Sequence, residues 1–524
     1  MKNIFQAVGM RKPKRNKFDL SHERKMSMKM NKLYPIMCQE IVPGDKFRVN
    51  SEILIRLAPM LAPVMHRMNV TTHYFFVPNR LLWNEWEDFI TGGEDGTANP
   101  QHPYIEISDV NKGYFAKGQL ADFMGIPSTT VAPPTPIQIN ALPFRAYQTI
   151  YNEYYRDQNL EDKIVVQKTS GIDNGSNNLV LRTRAWEKDY FTSALPWSQR
   201  GGDVKLPLGD SAPLITDYQD PEGIIYKDLG TGALTTNEGL STDNTGHLKT
   251  DTGEFTAPDF GSQVKADLSE ATAVTINDLR KANRLQQWLE KSARGGSRYI
   301  EQIFSHFGVK SSDARLQRPE FLGGGKQPVV ISEVLSTYSA TDMGVPSANP
   351  QGDMTGHGIS VGQSNGFSKS FEEHGFVIGI MSVIPKTAYQ QGIDKKFLRK
   401  DKFDYFWPEF AHLGEQEVEL QELYVDYVAG TQADLTETFG YQQRYAEYKY
   451  ERSTVHGDFR DNLKYWHMGR IFDNKPTLNT QFVQADAHKR IFAVEDENTD
   501  ELYVQVYNKV DALRPMPYFS IPSL

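Results

Sequence analysis

IVPGDKFRVNSEILIRLAPMLAPVMHRMNVTTHYFFVPNRLLWNEWEDFITGG, residues 41 to 93, decides the fold class. Pro43-Gly44-Asp45 is a turn signal, and the residues after it alternate. Phe47, Val49, Ile53 and Ile55 take odd positions, with Arg48, Asn50, Glu52 and Arg56 between them. That is the period of a strand with one buried face. Pro59 and Pro63 then deny the chain a continuous helix, because each lacks a backbone N–H and restricts the residue before it. Val70 to Val77 is β-branched and aromatic, and Pro78 closes it. Antiparallel β-structure joined by proline-punctuated loops is the expectation.

The rest of the chain agrees with a β-rich class. At 524 residues it exceeds the size at which a single core keeps growing, so one elaborated domain or two to three domains are expected. Gly and Pro together number 68, and long helical periods are few. Cys38 stands alone, which excludes an internal disulfide framework and fits a reducing compartment. No apolar run approaches membrane-spanning length; the strongest, Phe376 to Ile384, is strand-length and reads as buried on both faces. The basic N-terminus lacks the apolar stretch of a secretory signal.

The net charge of −9 is unevenly spread. Residues 1–32 carry ten Lys/Arg against Asp19 and Glu23, a balance of +8 that leaves −17 for the remainder. A basic arm on an acidic body points to a polyanion for the arm; the plain alternative is a solvated tail. Lys2, Arg11, Lys12, Lys14, Arg15 and Lys17 are the candidate phosphate contacts, and Phe18 the candidate ring for an unpaired base. The body is expected to start near Leu33.

Further along, LPFRAYQTIYNEYYRDQN (142–159) reads as a helix with Pro143 in its first turn. Its tyrosines, Tyr147, Tyr151, Tyr154 and Tyr155, are expected to be buried with their hydroxyls partnered. Residues 205–262 differ in kind: in 228–256, 19 of 29 residues are Gly, Thr, Asp, Asn or Ser, too few apolar side chains for a strong core. A helical pair follows, its first helix opened by a capping box at Thr275 and its second running from Ser297 to near Gly308. Thr341 to Gly366 reads as a glycine-rich loop. The final RPMPYFSIPSL reads as an extended arm.

Little suggests catalysis. Gly323-Gly324-Gly325-Lys326 lacks the spacing of a phosphate loop and reads as a flexible turn before a strand. His66 and His73 lie seven residues apart, wrong for two ligands on one strand or helix face. Glu85, Glu87 and Asp88 beside Trp83 and Trp86 resemble the carboxylates and aromatic platforms of glycan-active proteins. They leave one alternative open, a glycan-binding or glycan-cleaving β-sandwich. No metal ligand set and no cofactor motif is visible, and the protein reads as non-enzymatic.

Several stretches closely resemble one family: the opening block, FDLSHERKMSMKM (18–30), SSDARLQRPEFLGGG (311–325) and FGYQQRYAEYKYERSTVHGDFRDNLKYWHM (439–468). They are similar to the major capsid proteins of the Microviridae, small single-stranded DNA phages, in the gokushovirus branch. The resemblance implies an eight-stranded antiparallel viral jelly roll, a β-sandwich or barrel with long inserted loops and a few short helices. It implies a T=1 icosahedral shell around circular single-stranded DNA, assembled in the host cytoplasm from homo-pentamers. Partners so implied are an internal scaffolding protein, a minor or pilot protein and a bacterial surface receptor, without membrane insertion. On this reading residues 1–32 are an interior-facing basic arm, and 33–204 with 263–524 the jelly-roll core. Residues 205–262 become an exterior protrusion at the three-fold axes, suspected in host attachment. Aromatic loops at Phe403–Phe410 and Tyr441–Tyr450 become candidate subunit contacts, with about half of their rings in the internal core.

Overall fold

The computed structural model describes residues 13–519, except 174, 203, 336–353, 429–431, 487, 495 and 497 and, within 205–275, all residues outside seven short strands. Two compact units result: Met1–Ser198 with Lys291–Leu524, and Gln199–Glu290. Strands of the two main sheets are numbered in chain order: β1 Asn16–Asp19, β2 His22–Met28, β3 Tyr34–Ile41, β4 Lys46–Leu57, β5 Met68–Pro78, β6 Glu320–Pro328, β7 Val330–Leu335, β8 Met354–Ser370, β9 Gly375–Pro385 and β10 Leu502–Arg514. The longest helices are α1 Leu142–Ile150, α2 Ile276–Gly295 and α3 Tyr299–Phe307.

Both main sheets are antiparallel. A six-stranded sheet runs β1-β10-β4-β8-β7, with β2 also paired to β10; a four-stranded sheet runs β6-β5-β9-β3. β4 realises the alternation in its sequence: Phe47, Val49, Ile53, Ile55 and Leu57 are buried, while Lys46, Arg48, Glu52 and Arg56 face water. Those apolar residues join Val504, Val506 and Val510 of β10 and meet Val70, Tyr74 and Phe76 of β5 and Val377 and Val383 of β9. The two sheets thus share a sandwich core. One side chain in the next position along β5 or β9 points the other way. Phe75, Val77, Phe376, Ile378 and Ile380 therefore form a second core with Leu142, Phe144, Tyr147 and Ile150 of α1. This third layer explains why every residue of β9 is buried.

α1 opens with Pro143 in its first turn and keeps regular geometry to Ile150. A π-helical turn over Tyr151–Tyr155 follows, closed by Arg156 N–H donating to Tyr151 O at 2.9 Å. The widened turn splays the tyrosines, and each hydroxyl finds a partner. Tyr147 donates to Leu33 O, Tyr151 to Glu161 and Tyr154 to Pro319 O, while Tyr155 O–H meets His73 Nδ1. α3 runs to Gly308, which caps it in the left-handed conformation at φ 70°. In the second unit, the described strands form three small ladders: Leu214–Thr216 with Val264–Ala266, Leu240–Thr242 with Leu248–Thr250, and Ile225–Asp228 between Leu234–Thr236 and Thr256–Pro258.

Four expectations change. The framework starts at Asn16 rather than Leu33, because β1 and β2 pair with opposite ends of β10. Gly323–Lys326 is no turn; it lies inside β6, paired to β5 from Thr71 to Tyr74. A Cβ on Gly324 would stand 2.4 Å from Thr72 O, so the glycine is there to let two backbones close. Residues 354–366 belong to strand β8, not to a loop, for the same reason: a Cβ on Gly366 would meet Val49 O at 1.8 Å. The helix expected over 142–159 is α-helical only to Ile150 and ends with the π turn at Tyr155. Thr275 and most of 205–262 lie outside the described residues.

Candidate assembly and nucleic-acid surfaces

Lys2, Arg11 and Lys12 lie outside the described residues; Lys14 and Arg15 are exposed at the entry to β1. Strand pairing brings the next positions onto the sheet. Lys17 Nζ lies 2.8 Å from Asp511 on β10, so its charge is already matched. The ring of Phe18 is partly buried and stacks on Tyr518 at 5.9 Å, which occupies one of the faces a base would use. Two other basic residues of the 1–32 segment are architectural. Arg24 Nη1 donates to Phe123 O at 2.8 Å, and Lys32 Nζ to Thr183 Oγ1 at 2.8 Å. Burial lowers both pKa values from their usual range. Lys14, Arg15 and Lys17 are all exposed, and Lys17 and Phe18 in addition have partners on the sheet.

A broad aromatic surface occupies residues 397–413. Phe397 is 74% exposed and Leu413 64%, with Phe403, Tyr405, Phe406 and Trp407 also open to solvent. Short 3-10 turns hold this segment, several opened by carboxylates that cap them; Asp394 accepts from Lys396 N–H and Asp401 from Lys402 N–H. Its underside is fixed to the body. Tyr445, 3% exposed, accepts from Trp407 N–H at 3.2 Å and packs against Phe406 at 4.9 Å. Arg399 lies 4.2 Å over the Tyr448 ring and 3.6 Å from Glu447. Within the second aromatic loop Tyr445 is core while Tyr448 and Tyr450 are exposed. A second apolar face lies on α3, where Tyr299, Phe304 and Phe307 are exposed and no residue is buried. The 3.6-residue period of YIEQIFSHF ordinarily signals a core-facing helix, so sequence alone misplaces it. Clustered exposed apolar side chains of this kind are candidates for contact with another molecule.

Residues singled out for chemistry turn out architectural. Trp83 is 0% exposed, and its Nε1 donates to Ser170 Oγ at 2.8 Å. Glu85 accepts from the same Ser170 hydroxyl; Glu87 and Asp88 begin the short helix Trp86–Thr91, where a carboxylate suits the dipole. His66 meets Lys386 O at 2.7 Å through Nε2. Burial lowers His66 and His73 to a pKa of about 4, so both are neutral near pH 7. Among the described residues no cluster of three or more His, Cys, Asp or Glu is placed to hold a metal ion. No described helix is long and apolar enough to cross a membrane.

Comparison with known proteins places the chain in a family. Residues 7–524 match the model of the phage family described as Capsid protein (F protein). The chain is 38% identical to capsid protein VP1 of Chlamydia phage 1, across all of this chain and 98% of that protein. Identity is 39% to capsid protein VP1 of Bdellovibrio phage phiMH2K, over 97% of this chain and 95% of the relative. It is 32% to capsid protein VP1 of Spiroplasma virus 4, over the same shares. A β-framework with exposed aromatic surfaces fits a subunit whose neighbours are copies of itself. The chain belongs to the phage capsid (F protein) family of the Microviridae, and is a structural protein of the virion rather than an enzyme.

Proposed function

We propose that this chain forms a T=1 icosahedral shell around circular single-stranded DNA, with its sandwich as an eight-stranded jelly roll. Strand order is the observation that carries the reading. The sheets read β2-β10-β4-β8 and β3-β9-β5-β6 across their strands. Following the chain through these eight strands, leaving β7 aside, each step crosses to the opposite sheet except β5 to β6, which are neighbours. That wiring supports the jelly-roll reading, with β1 extending the position of β2 and β7 added at an edge. Such a fold leaves its inter-strand connections free to lengthen, as 79–319 and 386–501 do here.

In this assignment the aromatic surface at 397–413 and the apolar face of α3 bind neighbouring copies, first in homo-pentamers. Residues 1–15 face inward and neutralise packaged phosphate through charge, without reading sequence. Residues 205–262 project outward and meet a bacterial surface receptor. An internal scaffolding protein and a minor or pilot protein complete the assembly partners.

Negative-stain microscopy of the purified protein, with nuclease-protected nucleic acid measured beside it, tests the proposal. Uniform icosahedral particles are expected. Removing residues 1–15 should leave particles intact while lowering protected DNA and flattening its salt dependence. A strict monomer, or undiminished DNA in the truncated particles, overturns the corresponding part.

A further inference from the structure

A cavity of about 510 Å³ opens between the π-helical turn after α1, residues 184–195 and the start of α3. Five cations line it: Arg156, Arg184, Lys188, Arg294 and Arg298. Three have counter-charges. Lys188 is ion-paired with Asp157, Arg294 with Glu415, and Arg298 with Glu301 at 3.2 Å. Arg156 and Arg184 pair with no carboxylate among the described residues. Arg184 Nη1 donates to Ser382 Oγ at 2.6 Å. Arg156 Nη1 donates to Glu161 O, and its buried Nε has no acceptor. Glu187 acts on Arg184, and Glu161 and Glu153 on Arg156, only as more distant charges. Burial lowers the pKa of both guanidinium groups, and the neighbouring Arg298 adds to the effect at Arg156.

One part of the wall is aromatic, and the rest is mostly polar or small, with the carboxylates of Asp157 and Glu301 beside their cation partners. Trp186, 4% exposed, lines the cavity, and its Nε1 also lacks an acceptor; Tyr154 and Tyr155 lie beside it. Guanidinium forks match phosphate oxygens, and flat rings match a nucleobase. The volume exceeds the need of bare phosphate and lies within the roughly 300–1,000 Å³ of small-ligand sites.

We propose that this cavity binds a nucleotide, free or as one unit of a strand, with Arg156 and Arg184 on its phosphate and the aromatic wall beside its base. The site is separate from the N-terminal basic segment and does not depend on how that segment acts.

The test titrates the full-length protein at low salt with inorganic phosphate, a deoxynucleoside 5′-monophosphate and a short deoxythymidine oligomer, by calorimetry. The monophosphate is expected to bind at least tenfold more tightly than inorganic phosphate. Arg156→Gln with Arg184→Gln should lose at least tenfold, while surface Lys112→Gln changes nothing. Tighter binding of the oligomer that is lost in the same double variant assigns the site to strand; a preference for the monophosphate assigns it to free nucleotide. Equal affinity for inorganic phosphate overturns the role of the aromatic wall. No saturable binding by any probe, or full binding by a folded double variant, overturns the site. If the double variant fails to fold, the wild-type protein decides the matter alone: a bound nucleotide must raise its melting temperature. Particle formation, scored separately, keeps this outcome distinct from failure of the capsid assembly scheme.

Discussion

Arg145 and Asp173 form an ion pair in which neither side chain reaches solvent, with Nε donating to Oδ2 at 2.8 Å. Arg145 also donates to the carbonyls of Leu82 at 3.2 Å and Thr169 at 3.0 Å, and the Asn178 amide reaches both carboxylate oxygens. One side chain of α1 thus ties the turn after β5 to the segment 169–178. Losing one partner strands the other as a buried charge. Asp173→Leu alone is expected to cost about 3–5 kcal/mol, and Arg145→Met with Asp173→Leu far less than the sum of the two single changes. Urea denaturation of the four proteins measures the coupling, and simple additivity would refute it.

Glycines inside strands are sites of contact between backbones. Gly324→Ala and Gly366→Ala should each destabilise strongly, by about 3 kcal/mol or more, because the new methyl meets Thr72 O or Val49 O. Gly113→Ala, with open space around it, should stay within about 0.5 kcal/mol. Equal melting temperatures for the three variants would contradict the packing.

The tryptophans separate by burial. Trp83→Ala should cost about 3–5 kcal/mol, since its ring is enclosed with Leu82, Phe115 and Leu120. Trp86→Ala, at the margin of the same cluster, should cost clearly less. Reversal of that order in thermal unfolding would misplace the ring.

Two histidines tie stability to pH. His66 and His73 titrate at about 4 when folded and near the ordinary 6.5 when unfolded. Between those values the unfolded chain binds more protons, so stability is complete above about pH 6.5 and falls as pH drops toward 4. His73→Asn should make that decline shallower. An unchanged slope in melting temperature between pH 6.5 and 4 would count against it.

The aromatic surface can be separated from folding. Phe397→Ser with Leu413→Ser removes side chains that are 74% and 64% exposed, so the melting temperature of the isolated protein should hardly move. Particle yield should fall at least tenfold. Full assembly by this variant would place the subunit contacts elsewhere.

Legibility in the sequence followed a simple physical division. β4 was readable because one of its faces is wet and the other dry, and β9 because neither is wet. β6 and β8 were not, since their glycines imitate turn composition while answering to Thr72 O and Val49 O on other strands. β1 and β2 hid behind their charge: Lys17 and Lys25 face outward from a paired ladder, and density of lysine reads as a loose tail. The basic terminus was visible as charge, whereas the cavity was not, because Arg156, Arg184 and Arg298 come from three distant segments. The apolar period of α3 reads as a buried face because period reports amphipathicity, not what the face packs against.

β9 gives this architecture a fixed point. Eleven consecutive residues, Gly375 to Pro385, lie between two cores, and none has solvent beside it to take up a change of size. A lineage built on this strand must therefore keep its inventiveness at a distance. A change of size in this strand has to be met by both cores at once, whereas a change in a connection meets water.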